Sequence, residues 1–168
     1  RQVLERADIN PLALGPLVAL EVAVDAFNGR AGVNGGRTRA EMEIGVGGIG
    51  IYAAQLANIM GGKVVAIDIA QDKLDQLAQV GVTSTVCAAG LDVKGIKEKV
   101  KEHSKKLGAP SHSWKIYECS GTKAGQELAF ALLNTAGTLS VVGFTLDKLD
   151  MRLSNLMAFD ANIIGTWG

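Results

Sequence analysis

The sequence predicts an α/β fold built on a doubly wound, six-stranded parallel sheet, and three observations support it. Short apolar runs alternate with longer amphipathic stretches, a glycine-rich turn follows the first run, and an aspartate ends the second. The 168 residues are 48% hydrophobic, which is enough for one full core. The 17 basic side chains balance the 17 acidic ones, so no nucleic-acid partner is expected.

The apolar runs and the helical periodicity set the order of the elements. Strands are predicted at residues 41–46, 63–68, 84–88, 114–119, 138–143 and 162–166. Helices are predicted at residues 48–60, 71–80, 92–107 and 121–134, with an irregular crossover at 146–159. Gly61, Gly81 and Gly108 fall where helices should end. This order corresponds to a Rossmann-type sheet of strand order 3-2-1-4-5-6, whose ligand crevice lies at the carboxyl ends of the strands.

The turn after the first strand has the glycine spacing of a dinucleotide-binding loop. Gly45 allows the tight turn, Gly47 lets the backbone approach a pyrophosphate, and Gly50 permits close helix packing. Gly48 and Ile49 lie between them, at a helix N-terminus that favours an anion. In a chain with 21 glycines, about 0.3 chance occurrences of this pattern are expected, so the loop needs support from its context.

Asp68 supplies that context, because it ends the second strand 18 residues after Gly50. At this position a carboxylate accepts from the adenosine ribose hydroxyls. No arginine follows at residues 69–71 to neutralise a 2′-phosphate, so NAD is expected rather than NADP. The alternative is that Asp68 caps the next helix. Lys73 either reaches the same ribose or is simply solvated.

The ends of the fourth and fifth strands should border the same crevice. Cys119-Ser120 ends the fourth strand and Val142-Gly143-Phe144 the fifth, although ordinary strand-to-turn chemistry explains both segments equally well. Cys119 is not expected to act as a nucleophile, since no histidine is near in sequence. Two cysteines without zinc-binding spacing are typical of a reducing cytoplasm, and no apolar stretch reaches the length of a membrane span.

Residues 31–168 resemble the coenzyme domain of medium-chain, zinc-type alcohol dehydrogenases. The resemblance depends on residues 45–50, 66–68 with Lys73, 117–121, 141–143 and 165–168. It implies that Gly48 and Ile49 contact the pyrophosphate of NAD. It further implies ribose contacts from Asp68, Ile69 and Lys73, contacts on the adenine side from Cys119 and Ser120, and nicotinamide contacts from Val142, Gly143 and Phe144.

The resemblance also implies an activity and an organisation. The whole protein would be an NAD-dependent oxidoreductase acting on CH–OH groups, and residues 115–122, 142–148 and 152–159 look like a subgroup that oxidises a hydroxyl of a cyclic acyl-CoA. Residues 1–38, with a helix near 17–28, would lead in from a catalytic domain that holds the family's zinc, and 39–168 would bind NAD. We therefore assign no metal and no catalytic residue here, expect the chain alone to be inactive, and expect a homo-oligomer joined through the last strand.

Glu43 departs from the pattern, because a central parallel strand is buried on both faces and an unpaired acid there is costly. Two other functions remain open. A stand-alone NAD-sensing module would show the same loop and acid without catalysis. A methyltransferase that uses S-adenosylmethionine also has a glycine loop, but the third glycine and the segment 142–144 fit it poorly.

Overall fold

The computed structural model describes residues 40–165, which form a six-stranded parallel sheet with helices on both faces. The strands are β1 (Ala40–Ile44), β2 (Lys63–Asp68), β3 (Thr85–Cys87), β4 (Lys115–Glu118), β5 (Thr138–Val141) and β6 (Asn162–Gly165). The helices of this part are α1 (Gly50–Ile59), α2 (Gln71–Gln79), α3 (Val93–Lys106), α4 (Lys123–Ala131) and α5 (Ser154–Phe159). The sheet order β3-β2-β1-β4-β5-β6 confirms the predicted topology.

Each face of the sheet has its own core. On one face, Met42 and Ile44 of β1 pack with Ile116 of β4 under α3 and α4. On the other face, the buried side chains of α1 and α2, including Ala54 and Leu74, cover the alternate residues of β2. This division follows from right-handed crossovers, which place the helices of the two halves on opposite faces.

Most differences from the predicted boundaries occur at element ends. β1 stops at Ile44 instead of residue 46, because Gly45 takes a φ of +87° and the chain turns away. α1 begins at Gly50 instead of residue 48. α4 begins at Lys123 instead of residue 121, because the Thr122 hydroxyl caps it by accepting from the N–H of Gly125, and it ends at Ala131 instead of residue 134. The crossover predicted as irregular contains the short helix α5.

The predicted helix ends at glycine are confirmed, because Gly61, Gly81 and Gly108 all have positive φ angles, as helix-terminating glycines do. The predicted helix at residues 17–28, the rest of the segment 1–38 and the chain end at 166–168 lie outside the described residues. Among the helices between residues 40 and 165, none is long and apolar enough to cross a membrane.

Candidate dinucleotide-binding site

The glycine turn after β1 is held at its two ends by close packing. A Cβ on Gly45 would lie 2.5 Å from the backbone nitrogen of Ser120, and the positive φ of Gly45 disfavours any other residue. A Cβ on Gly50 would overlap the carbonyl oxygen of Gly45 and lie 3.3 Å from the Cβ of Cys119. The first and third glycines therefore let α1 pack directly against the ends of β1 and β4.

The centre of the turn is open. A Cβ on Gly47 or on Gly48 would meet no atom of the described residues within 4 Å, and Gly48 is exposed. The N–H groups of Gly48 and Ile49 make no hydrogen bond within residues 40–165, and no side chain caps α1. Unpaired N–H groups at a helix N-terminus favour a phosphate, so this open surface suits the pyrophosphate of a dinucleotide.

Asp68 joins the end of β2 to the glycine turn. Its Oδ2 accepts a hydrogen bond from the N–H of Val46 at 2.6 Å, and its Oδ1 accepts from the N–H of Ala70 at 2.9 Å. The N-cap position of α2 is Ala70, and no side chain caps that helix, so Asp68 is not the cap. A carboxylate has about four lone-pair sites. The N–H groups of Val46 and Ala70 use two of them, so the carboxylate has capacity for further donors.

Two further residues near Asp68 are solvent-exposed. The Ile69 side chain is 74% exposed directly after the carboxylate, and Lys73 is exposed in the first turn of α2. The parallel sheet brings the ends of β1, β2, β4 and β5 to one edge, so all the predicted site residues gather along it.

The ends of β4 and β5 contact each other on the other side of this edge. A Cβ on Gly143 would overlap the backbone nitrogen of Gly121, so the turn 119–121 lies directly against the turn 142–144. Phe144 follows and is 72% exposed. The side chain of Cys119 packs against the core under α1 and α2 and is hydrogen-bonded to Glu43, so it points into the protein.

Three glutamates are buried below this edge: Glu41, Glu43 and Glu118. Burial raises the pKa of Glu43 well above its ordinary value, and the nearby Glu41 and Glu118 raise it further, while the hydrogen bond from Cys119 opposes them. Burial therefore favours the neutral form of Glu43, which lowers the cost of an acid in a central strand. The same surroundings, burial first and then Glu43, raise the pKa of the Cys119 thiol and so disfavour a thiolate there.

Glu118 was not predicted as a functional residue. A sequence signal for it existed, because an acid ends a strand that is otherwise largely apolar and small residues follow it at the crevice.

A metal site would need several ligating side chains close together. No group of three or more His, Cys, Asp or Glu side chains comes together in residues 40–165. This part of the chain thus provides no ligand set for a zinc ion.

An open glycine turn beside an acid that ends β2, on a sheet of this order, defines a cofactor-binding domain of the dinucleotide type. The chain matches the family described as "Zinc-binding dehydrogenase" over residues 48–168. It belongs to that family, the zinc-type alcohol dehydrogenases that the sequence motifs resemble.

Relatives by sequence carry dehydrogenase names. An alcohol dehydrogenase of Geobacillus stearothermophilus is 30% identical over 123 residues, which are 73% of this chain and 34% of the relative. An uncharacterized zinc-type alcohol dehydrogenase-like protein of Escherichia coli is 25% identical over 126 residues, or 73% of this chain and 33% of the relative. The chain thus spans about a third of the length of these curated relatives.

Solved structures share the fold. Galactitol-1-phosphate dehydrogenase from Escherichia coli superposes with a TM-score of 0.75 at 24% identity, covering 90% of this chain and 42% of that one. A zinc-binding dehydrogenase from Sinorhizobium meliloti, bound to NADP, superposes with a TM-score of 0.69 at 24% identity, with the same two coverages.

Proposed function

We propose that this domain binds NAD, with the adenosine ribose on Asp68 and the pyrophosphate over Gly47 to Ile49. The observation that carries the proposal is the Asp68 carboxylate, which is fixed by the N–H groups of Val46 and Ala70 at the border of the open turn. A carboxylate fixed in this way is preorganised to accept hydrogen bonds from two ribose hydroxyls without moving.

The surroundings of Asp68 favour NAD over NADP. A 2′-phosphate would approach a carboxylate of like charge, and the next two residues, Ile69 and Ala70, offer no cation. The nearest basic residue along α2 is the exposed Lys73. NADP is the competing cofactor, since the structurally similar protein from Sinorhizobium meliloti was solved with NADP.

Fluorescence titration of the 168-residue chain with NADH and NADPH tests this proposal. We expect NADH to bind at least about tenfold more tightly, the discrimination that a repulsive contact or a lost charged hydrogen bond gives. Equal affinities would contradict the NAD assignment, and tighter binding of NADPH would reverse it.

For the whole protein we propose an NAD-dependent oxidoreductase that acts on a CH–OH group. Membership of the zinc-binding dehydrogenase family and the alcohol and sorbitol dehydrogenases among the relatives support this class. As substrate we propose a cyclic acyl-CoA alcohol, because residues 115–122, 142–148 and 152–159 resemble 6-hydroxycyclohex-1-ene-1-carbonyl-CoA dehydrogenase. The ligands of a catalytic zinc ion would then lie outside residues 40–165. The predicted NAD-binding domain, residues 39–168, would not transfer hydride alone.

An assay of NAD reduction by the full-length protein tests the activity and the substrate separately. We expect a higher kcat/KM for 6-hydroxycyclohex-1-ene-1-carbonyl-CoA than for sorbitol or ethanol. A preference for a simple alcohol would overturn the substrate but not the class. NADH binding without oxidation of any alcohol would favour the stand-alone NAD-sensing module.

We also propose that two copies associate through β6. This strand pairs with β5 on one side and is at the edge of the sheet on the other, and an open edge can pair with a second chain. Light scattering of the purified protein measures the outcome. A monomer at micromolar concentration would contradict this pairing.

A further inference from the structure

Glu118 holds both turns that border the second half of the crevice. It is the last residue of β4 and is completely buried. Its Oε1 accepts from the N–H of Ser120 at 2.8 Å, from the N–H of Gly121 at 3.2 Å and from the Ser120 hydroxyl. Its backbone carbonyl accepts from the N–H groups of Val142 at 2.9 Å and Gly143 at 2.8 Å. One residue therefore fixes the turn after β4 with its side chain and the turn after β5 with its backbone.

Gln126 of α4 anchors the second turn from the helix side. Its side chain is buried, and its Nε2 donates to the carbonyl oxygen of Gly143 at 2.9 Å. A Cβ on Gly143 would lie 2.9 Å from Oε2 of Glu118. Gly143 is thus enclosed between a carboxyl group, an amide group and the backbone of Gly121, and its position is set from three sides.

The exposed Phe144 depends on this arrangement. A Cβ on Gly121 would lie 2.9 Å from the carbonyl oxygen of Phe144 and 3.2 Å from its nitrogen, so the backbone of Phe144 rests on Gly121. In a doubly wound sheet, β1 to β3 bind the first mononucleotide and β4 to β6 the second. With adenosine on Asp68, the second mononucleotide is the nicotinamide half.

We propose that Glu118 is a positioning residue for the nicotinamide half of the cofactor, and that Gln126 assists it by holding Gly143. This inference rests on the proposed function. Glu118 does not touch the cofactor. Its side chain holds residues 120–121, whereas the side chain of Gln126 holds Gly143. A buried carboxyl group costs free energy unless donors satisfy it. The donors to Oε1 of Glu118 all belong to Ser120 and Gly121, while its Oε2 is buried without a hydrogen-bond partner in the described residues. An apolar residue of similar size would therefore fill the core but release residues 120–121, on which the backbone of Phe144 rests, from their side-chain anchor.

Binding of NADH and of AMP to the 168-residue chain, measured by calorimetry, separates positioning from general stability. AMP carries only the adenosine half. We expect Glu118→Ala to weaken NADH binding by about tenfold or more, because residues 120–121 lose the acceptor that holds them, and to leave AMP binding unchanged within about twofold. Glu118→Gln keeps an acceptor oxygen of the same reach, and should bind NADH within about threefold of the wild type.

Gln126→Leu is a second variant that keeps Glu118 and removes only the bond to Gly143, so it tests the same proposal if Glu118→Ala does not fold. It should show the same split between NADH and AMP, whereas Gln76→Leu, at an exposed position on α2, should change neither. Equal losses of NADH and AMP binding, or no loss of either, would overturn the positioning role. A wild-type chain that binds no NADH would overturn the proposed function, and the positioning role with it.

Discussion

The carboxylate of Asp68 accepts a 2.6 Å hydrogen bond from the backbone N–H of Val46, which ties the end of β2 to the glycine turn after β1. A single side chain therefore shapes the glycine turn and, in the proposed function, would also bind the ribose. Its loss should affect the stability of the fold and the choice of cofactor together.

We expect Asp68→Ala to lower NADH affinity by about tenfold and to reduce or abolish the preference over NADPH, because the ribose loses its acceptor and the 2′-phosphate its repulsion. The Tm should fall by several degrees, since about 1.5–3 kcal/mol of charged hydrogen bonding to Val46 and Ala70 is lost. Titration with both cofactors and a thermal melt measure the two effects.

Asp72→Ala is the matched control for this change. It removes one negative charge from an exposed site four residues along the chain. The cofactor preference should persist in this variant. If both variants weaken the preference equally, the effect is one of net charge, and the role of Asp68 in ribose recognition is wrong.

The glycine turn allows a paired comparison between its open centre and its packed end. Gly47→Ala places a methyl group where no described atom lies within 4 Å, so the Tm should be unchanged while NADH affinity falls about tenfold. Gly50→Ala forces a methyl group onto the carbonyl oxygen of Gly45, so it should destabilise the fold by about 3 kcal/mol.

Helix propensity alone predicts the opposite for residue 50, because alanine stabilises a helix by about 1 kcal/mol relative to glycine. Urea unfolding of both variants distinguishes these expectations. A Gly50→Ala chain as stable as the wild type would show that the start of α1 leaves room for a methyl group beside the carbonyl oxygen of Gly45.

The buried acid Glu43 makes stability depend on pH. Its folded-state pKa lies above its ordinary value of 4.5 because of burial, whereas the unfolded chain loses this proton near 4.5. Above 4.5 and up to the raised value, the folded state binds more protons than the unfolded state. The contribution of Glu43 to the free energy of unfolding is therefore complete below pH 4.5. It declines as the pH rises towards the folded-state pKa, by at most about 1.4 kcal/mol per pH unit.

Glu43→Gln should remove this decline and leave the protein more stable than the wild type at pH 8, since the amide cannot ionise. Urea unfolding between pH 5 and pH 8 gives the two slopes. Glu98→Gln, at an exposed position on α3, should keep the slope of the wild type. Parallel wild-type and Glu43→Gln curves would mean that Glu43 is charged in the folded protein.

The two thiols should differ in reactivity. Burial and the neighbouring Glu43 raise the pKa of Cys119, so little thiolate forms there at pH 8. The Cys87 sulfur lies near the surface, 3.6 Å from the carbonyl oxygen of Ile69. We expect iodoacetamide to alkylate Cys87 at least about tenfold faster than Cys119, as mapped by mass spectrometry. Faster labelling of Cys119 would contradict its inward orientation.

The sequence predicts the sheet order because apolar runs, the glycine loop and Asp68 are all local features, and the structure confirms it. The end of β1 is less predictable. Val46 is apolar and looks like strand, but its N–H bonds to Asp68, which lies 22 residues away. Helix ends at Gly61, Gly81 and Gly108 were readable because glycine itself causes them.

The sequence places an acid, Glu118, at the end of a largely apolar strand, but the contacts that this residue makes could not be predicted from the sequence. Its significance depends on Gly143 and Gln126, whose distances from it exist only after β4, β5 and α4 are packed together. The raised pKa of Glu43 likewise follows from burial between β2 and β4 and from nearby Glu41 and Glu118, and these neighbours come together only in the folded sheet. NAD specificity remains a prediction from the surroundings of Asp68.

The open centre and packed ends of the glycine turn give mutations there two separate effects. Side chains added at Gly47 or Gly48 extend into solvent or into a bound ligand, so selection can adjust cofactor retention at these positions without cost to the fold. Changes at Gly45 or Gly50 would be removed by selection on folding before any effect on binding arose. Retention of Gly45 and Gly50 in a descendant of this domain would therefore be evidence of an intact fold, whereas retention of Gly47 would be evidence that it still binds a dinucleotide.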